Sequence, residues 1–204
     1  MKFIESICYK NRRYLNLENH QLRVNRTFAN FFQGKSMQLD RVLPQIEEDK
    51  TYKVRVVYDE EMADVEFSEY YPRSIRSLAL VKSDLFDYSY KYEDRSMINR
   101  LTDSTEEDDI IISIDGLIRD SSYANLAFWT GTEWVTPEDP LLCGTKRELL
   151  INQKKIITAP IQESDLSSFE KVAFINSMLD LGNVELQITD IKMSIQIGGP
   201  GTPD

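Results

Sequence analysis

The stretch YSYKYEDRSMINRL, Tyr88 to Leu101, sets one lysine, Lys91, among Tyr88, Tyr90 and Tyr92 and four residues ahead of Arg95. A lysine amine is a nucleophile only in its neutral form, which calls for partial desolvation or neighbouring cations to lower its pKa. Tyrosine rings and a nearby arginine would provide both. A solvated cation at a strand end is built from the same residue types, so Lys91 by itself leaves the two roles open. Few other residues are candidates for chemistry. His20 is the only histidine, so a histidine-based triad would have to be built around it. The cysteines, Cys8 and Cys143, stand far apart with no ligand-like neighbours. That argues against a disulfide framework or a metal site and for reduced, buried thiols.

The chain has 204 residues, enough for one good core or two small lobes, and 41% hydrophobic with 28% charged residues is the balance of a soluble globular protein. A formal charge of -10 argues against nucleic acid and anionic membrane partners, because phosphate counterions are displaced by clustered Lys and Arg. No apolar run reaches the roughly 18 residues of a membrane span. Glu5 interrupts the N-terminal stretch where a signal peptide would be apolar, so a cytoplasmic protein is expected.

Periodicity places strands at Phe3–Tyr9 and, across a polar turn, Arg12–Leu17, followed by an amphipathic helix over Leu17–Phe32 ended by Gly34. A second helix is expected over Leu39–Glu48, limited by Pro44. Strand-like runs at Tyr52–Tyr58, Ala63–Tyr70 and Ser77–Lys82 complete an expected antiparallel sheet covered by helices. Beyond Lys91 the pattern predicts a short helix over Ser96–Thr102 and a strand over Ile110–Ile114, turned by Asp115-Gly116. A strand over Ala124–Trp129 and a helix from Thr145 through Ile151 follow. The chain should end with a helix over Ser164–Leu179, a strand over Val184–Ile197 and a disordered tail at 198–204. Domains are expected at 1–87, an N-terminal α+β lobe, and 88–197, a C-terminal lobe.

The order of motifs carries more than any one of them. HQLR at His20–Arg23, the lysine at 91, DGLIRDSSYANLAFW at Asp115–Trp129, TPEDPLLCGTKRELL at Thr136–Leu150 and FINSML at Phe174–Leu179 together resemble the class IV pyridoxal-phosphate enzymes. That family includes branched-chain and D-amino-acid aminotransferases and aminodeoxychorismate lyase. The resemblance covers Phe3 to about Leu181 and implies the α+β D-amino-acid-aminotransferase-like fold. In that fold a small antiparallel lobe is joined to a β-rich lobe with flanking helices.

The resemblance also implies roles. Lys91 matches the lysine that forms the Schiff base with pyridoxal 5'-phosphate. Asp120 falls where the family places a glutamate that pairs with the pyridine nitrogen and keeps the ring an electron sink. Arg23, whose fork suits a phosphate, matches the arginine of the H-x-x-R segment. Gly144 and Thr145 would offer the N-terminus of a helix to the same phosphate, and Ser177 a hydroxyl. Asn125 would support the cofactor loop, Trp129 and Trp134 would fill the core, and His20 would pack against the hairpin or cap a backbone group. Relatives begin with a further strand pair and a glycine-rich segment, and this chain starts close to the point where those end.

Lysine, three residues, arginine, as in KYEDR, is closer to the lyase pattern than to the aminotransferase one. The implied reaction is 4-amino-4-deoxychorismate to 4-aminobenzoate and pyruvate. Transamination of branched-chain or D-amino acids and a non-catalytic binding protein of the same fold remain as alternatives. A small anionic amino substrate needs cations, for which Arg73, Arg76 and Arg95 are candidates. A homodimer is expected.

Overall fold

A computed structural model describes residues 1–196, and side chains through Lys192. The first strand, β1 (Phe3–Lys10), organises a four-stranded antiparallel sheet in the order β2 (Arg13–Tyr14), β1, β3 (Tyr52–Tyr58), β4 (Ala63–Glu69). Asn11 and Arg12 both take positive φ, the backbone of a two-residue hairpin turn. Inward-facing Phe3 and Ile7 of β1 and Val56 and Tyr58 of β3 receive Val24 and Phe28 of helix α1 (Leu17–Phe31), an amphipathic helix lying across the sheet. The second helix, α2 (Leu39–Val42), is much shorter than the expected Leu39–Glu48. Leu43 precedes Pro44, whose ring drives the residue before it into the extended region, and the helix stops there.

The second sheet runs β10 (Ile157–Ala159), β9 (Trp134–Pro137), β8 (Asn125–Trp129), β7 (Leu117–Ser121), β6 (Asp109–Ile114), β5 (Leu78–Ser83), β13 (Ile191–Gln196). Two more strands, β11 (Lys171–Ile175) and β12 (Glu185–Gln187), extend it from β8. On one side β8 pairs with β11 along its whole length. On the other, its first residue pairs with β7 and its last two with β9, so the sheet coils sharply here. Helices α3 (Ser96–Thr102) and α4 (Thr145–Asn152) flank it. The placement of β5 corrects the expectation of one antiparallel sheet. LALV is buried on both faces and pairs in parallel with β6 and β13, as continuous apolar strands do when covered on both sides. The chain therefore crosses between sheets after Glu69 and before Leu78, ahead of the expected division at 87/88.

The expected helix over Ser164–Leu179 is absent. A 3-10 turn at Glu163–Ser168 leads into β11, because the edge of β8 demands hydrogen-bond partners and KVAFI is an apolar run that serves either period. The expected strand over Val184–Ile197 is divided between β12 and β13 by a 3-10 turn at Ile188–Asp190. Ile197 and the expected tail lie outside the described residues. Among the described residues no helix is long and apolar enough to cross a membrane.

Phe174 of β11 is fully buried and stacks on Tyr123 at 5.8 Å between ring centroids. Phe174→Ala should cost about 3–5 kcal/mol of stability by leaving a cavity between β11 and β8, read as a lower urea midpoint at unchanged slope.

Candidate active site

Lys91 sits in the connection between β5 and α3, and its backbone is stitched to the first sheet. Ile4 N donates to Lys91 O at 2.9 Å, Phe3 bridges Tyr92, and Glu93 N donates to Lys2 O at 3.0 Å. The neighbouring tyrosines divide. Tyr90 and Tyr92 pack against Phe3 and Phe31, while Tyr88 turns with Lys91 toward a cavity of about 590 Å³. The lysine faces this cavity and so keeps some accessible surface, yet protein encloses it on every other side. Burial, together with the charges of Arg23, Arg95 and Lys53 and against the pull of Glu5, lowers its pKa to about 7. An ordinary lysine at pH 7 is neutral in roughly one molecule in several thousand; this one is neutral in about half.

One wall of the cavity is an ion-paired network under α1. His20 and Arg23 lie one helical turn apart, and both reach the Glu5 carboxylate on β1, which is fully buried. Arg23 donates Nε to Oε1 at 2.8 Å and Nη2 to Oε2 at 2.5 Å, and His20 Nδ1 lies 2.6 Å from Oε2. Burial alone would raise the Glu5 pKa, but Arg23 and His20 outweigh it and bring the carboxyl to about 2. Burial in turn lowers the His20 pKa, leaving a neutral ring. With Nδ1–H given to the ionised Glu5, His20 Nε2 is an acceptor. It meets Ser177 Oγ at 2.7 Å and Thr145 Oγ1 at 3.3 Å. One ring lone pair accepts one hydroxyl proton, so the other hydroxyl keeps its proton for an anion.

Thr145 opens α4, whose first N–H groups have no helical partner. Gly144 precedes it, and a Cβ there would come within 2.0 Å of Asn125 Oδ1, so only glycine fits. Asn125 donates Nδ2 to Asp120 Oδ1 at 2.7 Å and to Leu142 O at 2.8 Å, while Leu142 N donates to Asp120 Oδ2 at 3.0 Å. The asparagine thus ties the β7 acid to the loop that opens α4. Burial raises the Asp120 pKa to about 6 against these donors.

Arg23, Lys91, Asp120, Gly144, Thr145 and Ser177, drawn from five separate parts of the chain, all line this one cavity. Arg73 and Arg95 line it too; Arg76 is exposed, pairs with Asp108 and lies outside it. Trp129 and Trp134 pack on one another away from the cavity. His20 meets the hairpin, as expected, through Glu5 of β1; it caps no backbone group in the described contacts, and its ring bridges Glu5 to Ser177. Cys8 is buried as expected, but Cys143 is exposed. Among the described residues no cluster of three or more His, Cys, Asp or Glu could hold a metal. The residue that sequence reasoning missed is Glu5. The available signal was a charge on the inward side of β1, between Phe3 and Ile7, where alternation calls for an apolar residue.

The lining fits a phosphorylated pyridine aldehyde. It offers an amine that is half neutral at pH 7, a helix N-terminus with a free hydroxyl proton and a guanidinium, and a buried acid whose carboxyl titrates near 6.

Glu5→Gln would leave the Arg23 guanidinium buried without its counter-charge, at an expected cost of about 3–5 kcal/mol at pH 7. Because the folded carboxyl titrates near 2 and the free one near 4.5, its stabilisation is complete above about 4.5 and is lost on descending toward 2. Urea titrations over that range should therefore fall more steeply for the native protein than for Glu5→Gln.

Comparison with known proteins agrees with the geometry. The sequence pattern of the amino-transferase class IV family matches residues 89–186. An uncharacterized protein of Haemophilus influenzae is 32% identical over 180 residues, covering 85% of this chain and 96% of its own. A crystal structure from Haemophilus somnus 129PT, provisionally described as a 4-amino-4-deoxychorismate lyase, superimposes with a TM-score of 0.82 at 28% identity, over 87% of this chain and 96% of that one. A hypothetical aminotransferase from Mycobacterium tuberculosis in its PLP-bound form shares the fold, with a TM-score of 0.69 at 15% identity over 93% of this chain and 81% of that one. With its pattern matched over residues 89–186 and its architecture shared with these structures, the chain belongs to the class IV aminotransferase family, whose cofactor is pyridoxal 5'-phosphate.

Proposed function

We propose that this protein is the pyridoxal-phosphate lyase that converts 4-amino-4-deoxychorismate to 4-aminobenzoate and pyruvate, a step of folate synthesis. The observation that carries the reading is the amine of Lys91, brought to a pKa of about 7 in the same cavity as an anion cradle and a buried acid. The lyase is favoured over transamination by Arg95, four residues on from Lys91, which faces the same cavity. The provisional description of the Haemophilus somnus structure points the same way. Transamination of an amino acid is the second reading, favoured by the family pattern itself. A non-catalytic role has no support in a site that keeps both its lysine and its cradle.

In this scheme Lys91 Nζ is the attachment point of the cofactor. Thr145, Ser177, Arg23 and the first N–H groups of α4 would hold its phosphate, and Asp120 would serve its ring nitrogen. When bound, pyridoxal phosphate supplies an electron sink for the carbon that bears the substrate amine. Lys91, neutral near pH 7, would accept the proton from this ring carbon. The bond from ring carbon to enolpyruvyl oxygen then breaks as the ring becomes aromatic. The same Nζ returns the proton to the methylene carbon, which becomes the methyl group of pyruvate. Glu5 and His20 hold Arg23 and the hydroxyls in place and do not touch substrate. As the resemblance implies, we take the working unit to be a homodimer, which sedimentation of the purified protein tests.

Purified protein supplied with aminodeoxychorismate formed in situ should release 4-aminobenzoate and pyruvate in equal amounts, and Lys91→Ala should lose about three orders of magnitude or more of that rate. Pyridoxamine phosphate accumulating on an amino acid, with no 4-aminobenzoate, would establish the aminotransferase instead. Attachment of pyridoxal phosphate to the free protein, followed by absorbance, should accelerate with pH through about 7. An ordinary lysine would give the same rise only near 10.

A further inference from the structure

The cavity of a protein with a net charge of -10 is lined by six basic side chains, and they are not equally answered. Arg23 is neutralised by Glu5. Arg55 is shared between Glu66 at 3.7 Å and Glu93 at 3.3 Å. Lys91 is half neutral already. Lys53, Arg73 and Arg95 have no carboxylate within ion-pair distance among the described residues. Arg95 spends one Nη on the carbonyl of Ser122, while its Nε is buried without a partner. Lys53, half-buried on β3, makes no side-chain hydrogen bond among the described residues. Lys53 and Arg95 line the same cavity, and burial with the charges of Arg95 and Arg55 pushes the Lys53 pKa down. Arg73 lies over the Tyr123 ring at 5.0 Å, where both line the cavity. Two adjacent cations facing a partly desolvated cavity without a counter-charge destabilise the free protein, and an anion entering between them relieves the repulsion.

We infer that Lys53 and Arg95 form a receptor for one carboxylate of the substrate, with Arg73 receiving a second, so that the cavity selects dicarboxylates over monocarboxylates. The inference rests on the reading of Lys91 as the reactive amine, since both cations are charge neighbours of that lysine. It assigns Lys53 and Arg95 to specificity and gives them no part in proton transfer. Lys53 enters from the first sheet and Arg95 from the segment leading into α3, so the receptor forms only when the two lobes are packed together.

The test uses ligands that carry no amine and cannot react. Chorismate has two carboxylates and a hydroxyl in place of the amine; shikimate has one carboxylate. Calorimetric titration of the cofactor-loaded protein should show chorismate binding about tenfold or more tighter than shikimate. Lys53→Met and Arg95→Met should each remove most of that margin while the variants stay folded and still load cofactor, and Lys53→Arg should retain it. If Lys53→Met misfolds, the same comparison is read from Lys53→Gln. Unchanged chorismate affinity in folded Lys53 and Arg95 variants would overturn the inference. The two readings separate cleanly. Formation of 4-aminobenzoate with an unaltered KM in Lys53→Met would keep the lyase and discard the receptor. A Lys53-dependent preference for 2-oxoglutarate over 2-oxobutyrate, with no 4-aminobenzoate formed, would keep the receptor and discard the lyase.

Discussion

A single buried carboxylate, that of Glu5, holds the site together. It is the only charge on the inward face of β1, and the two α1 side chains that answer it are spaced one helical turn apart. A carboxylate in that position is tolerable only because a guanidinium takes both its oxygens and an imidazole takes one of them again. In return it fixes the rotation of α1 over the sheet, the ring of His20 and the fork of Arg23. His20 passes this order from the first sheet to segments beside the second, because its second nitrogen meets Ser177 after β11 and Thr145 at the head of α4. Two segments more than 120 residues from Glu5 in sequence are thereby registered against the first strand.

The lowered pKa of Lys91 follows from that frame. Its backbone is pinned to β1 through Ile4, and its side chain faces the cavity lined from both sheets. Protein on most sides makes the charged form unfavourable, and the cations around it, Arg23 foremost, add to the effect. The same site that deprotonates a lysine raises the pKa of Asp120, and burial is the main cause in both. An amine and an acid that both titrate near neutrality suit a reaction that moves protons at pH 7. The unanswered cations Lys53 and Arg95 belong to this design. Both face the cavity that Lys91 faces, and both lower the lysine pKa.

Much of the site was legible in the amino-acid order. Lys91, Arg23, Asp120, Gly144, Thr145 and Ser177 were named through the resemblance to the class IV family, and the fold brings all six to one cavity. The first helix, the hairpin turns and strands β1, β3, β6 and β8 were readable from period and turn residues. The errors came where a short apolar run serves either period. KVAFI, read as part of a helix, became a strand because β8 had an unpaired edge, and LALV joined the second sheet because parallel partners on both sides could bury it.

Sequence alone determined which residue types were available and which backbone segments could present them. Tertiary structure decided what each was worth. No spacing rule reveals that Glu5 neutralises Arg23, that two hydroxyls share one imidazole lone pair, or that Lys53 is left without a counter-charge. Each is a relation between side chains distant along the chain, and its sign depends on which charges meet and how much water remains between them.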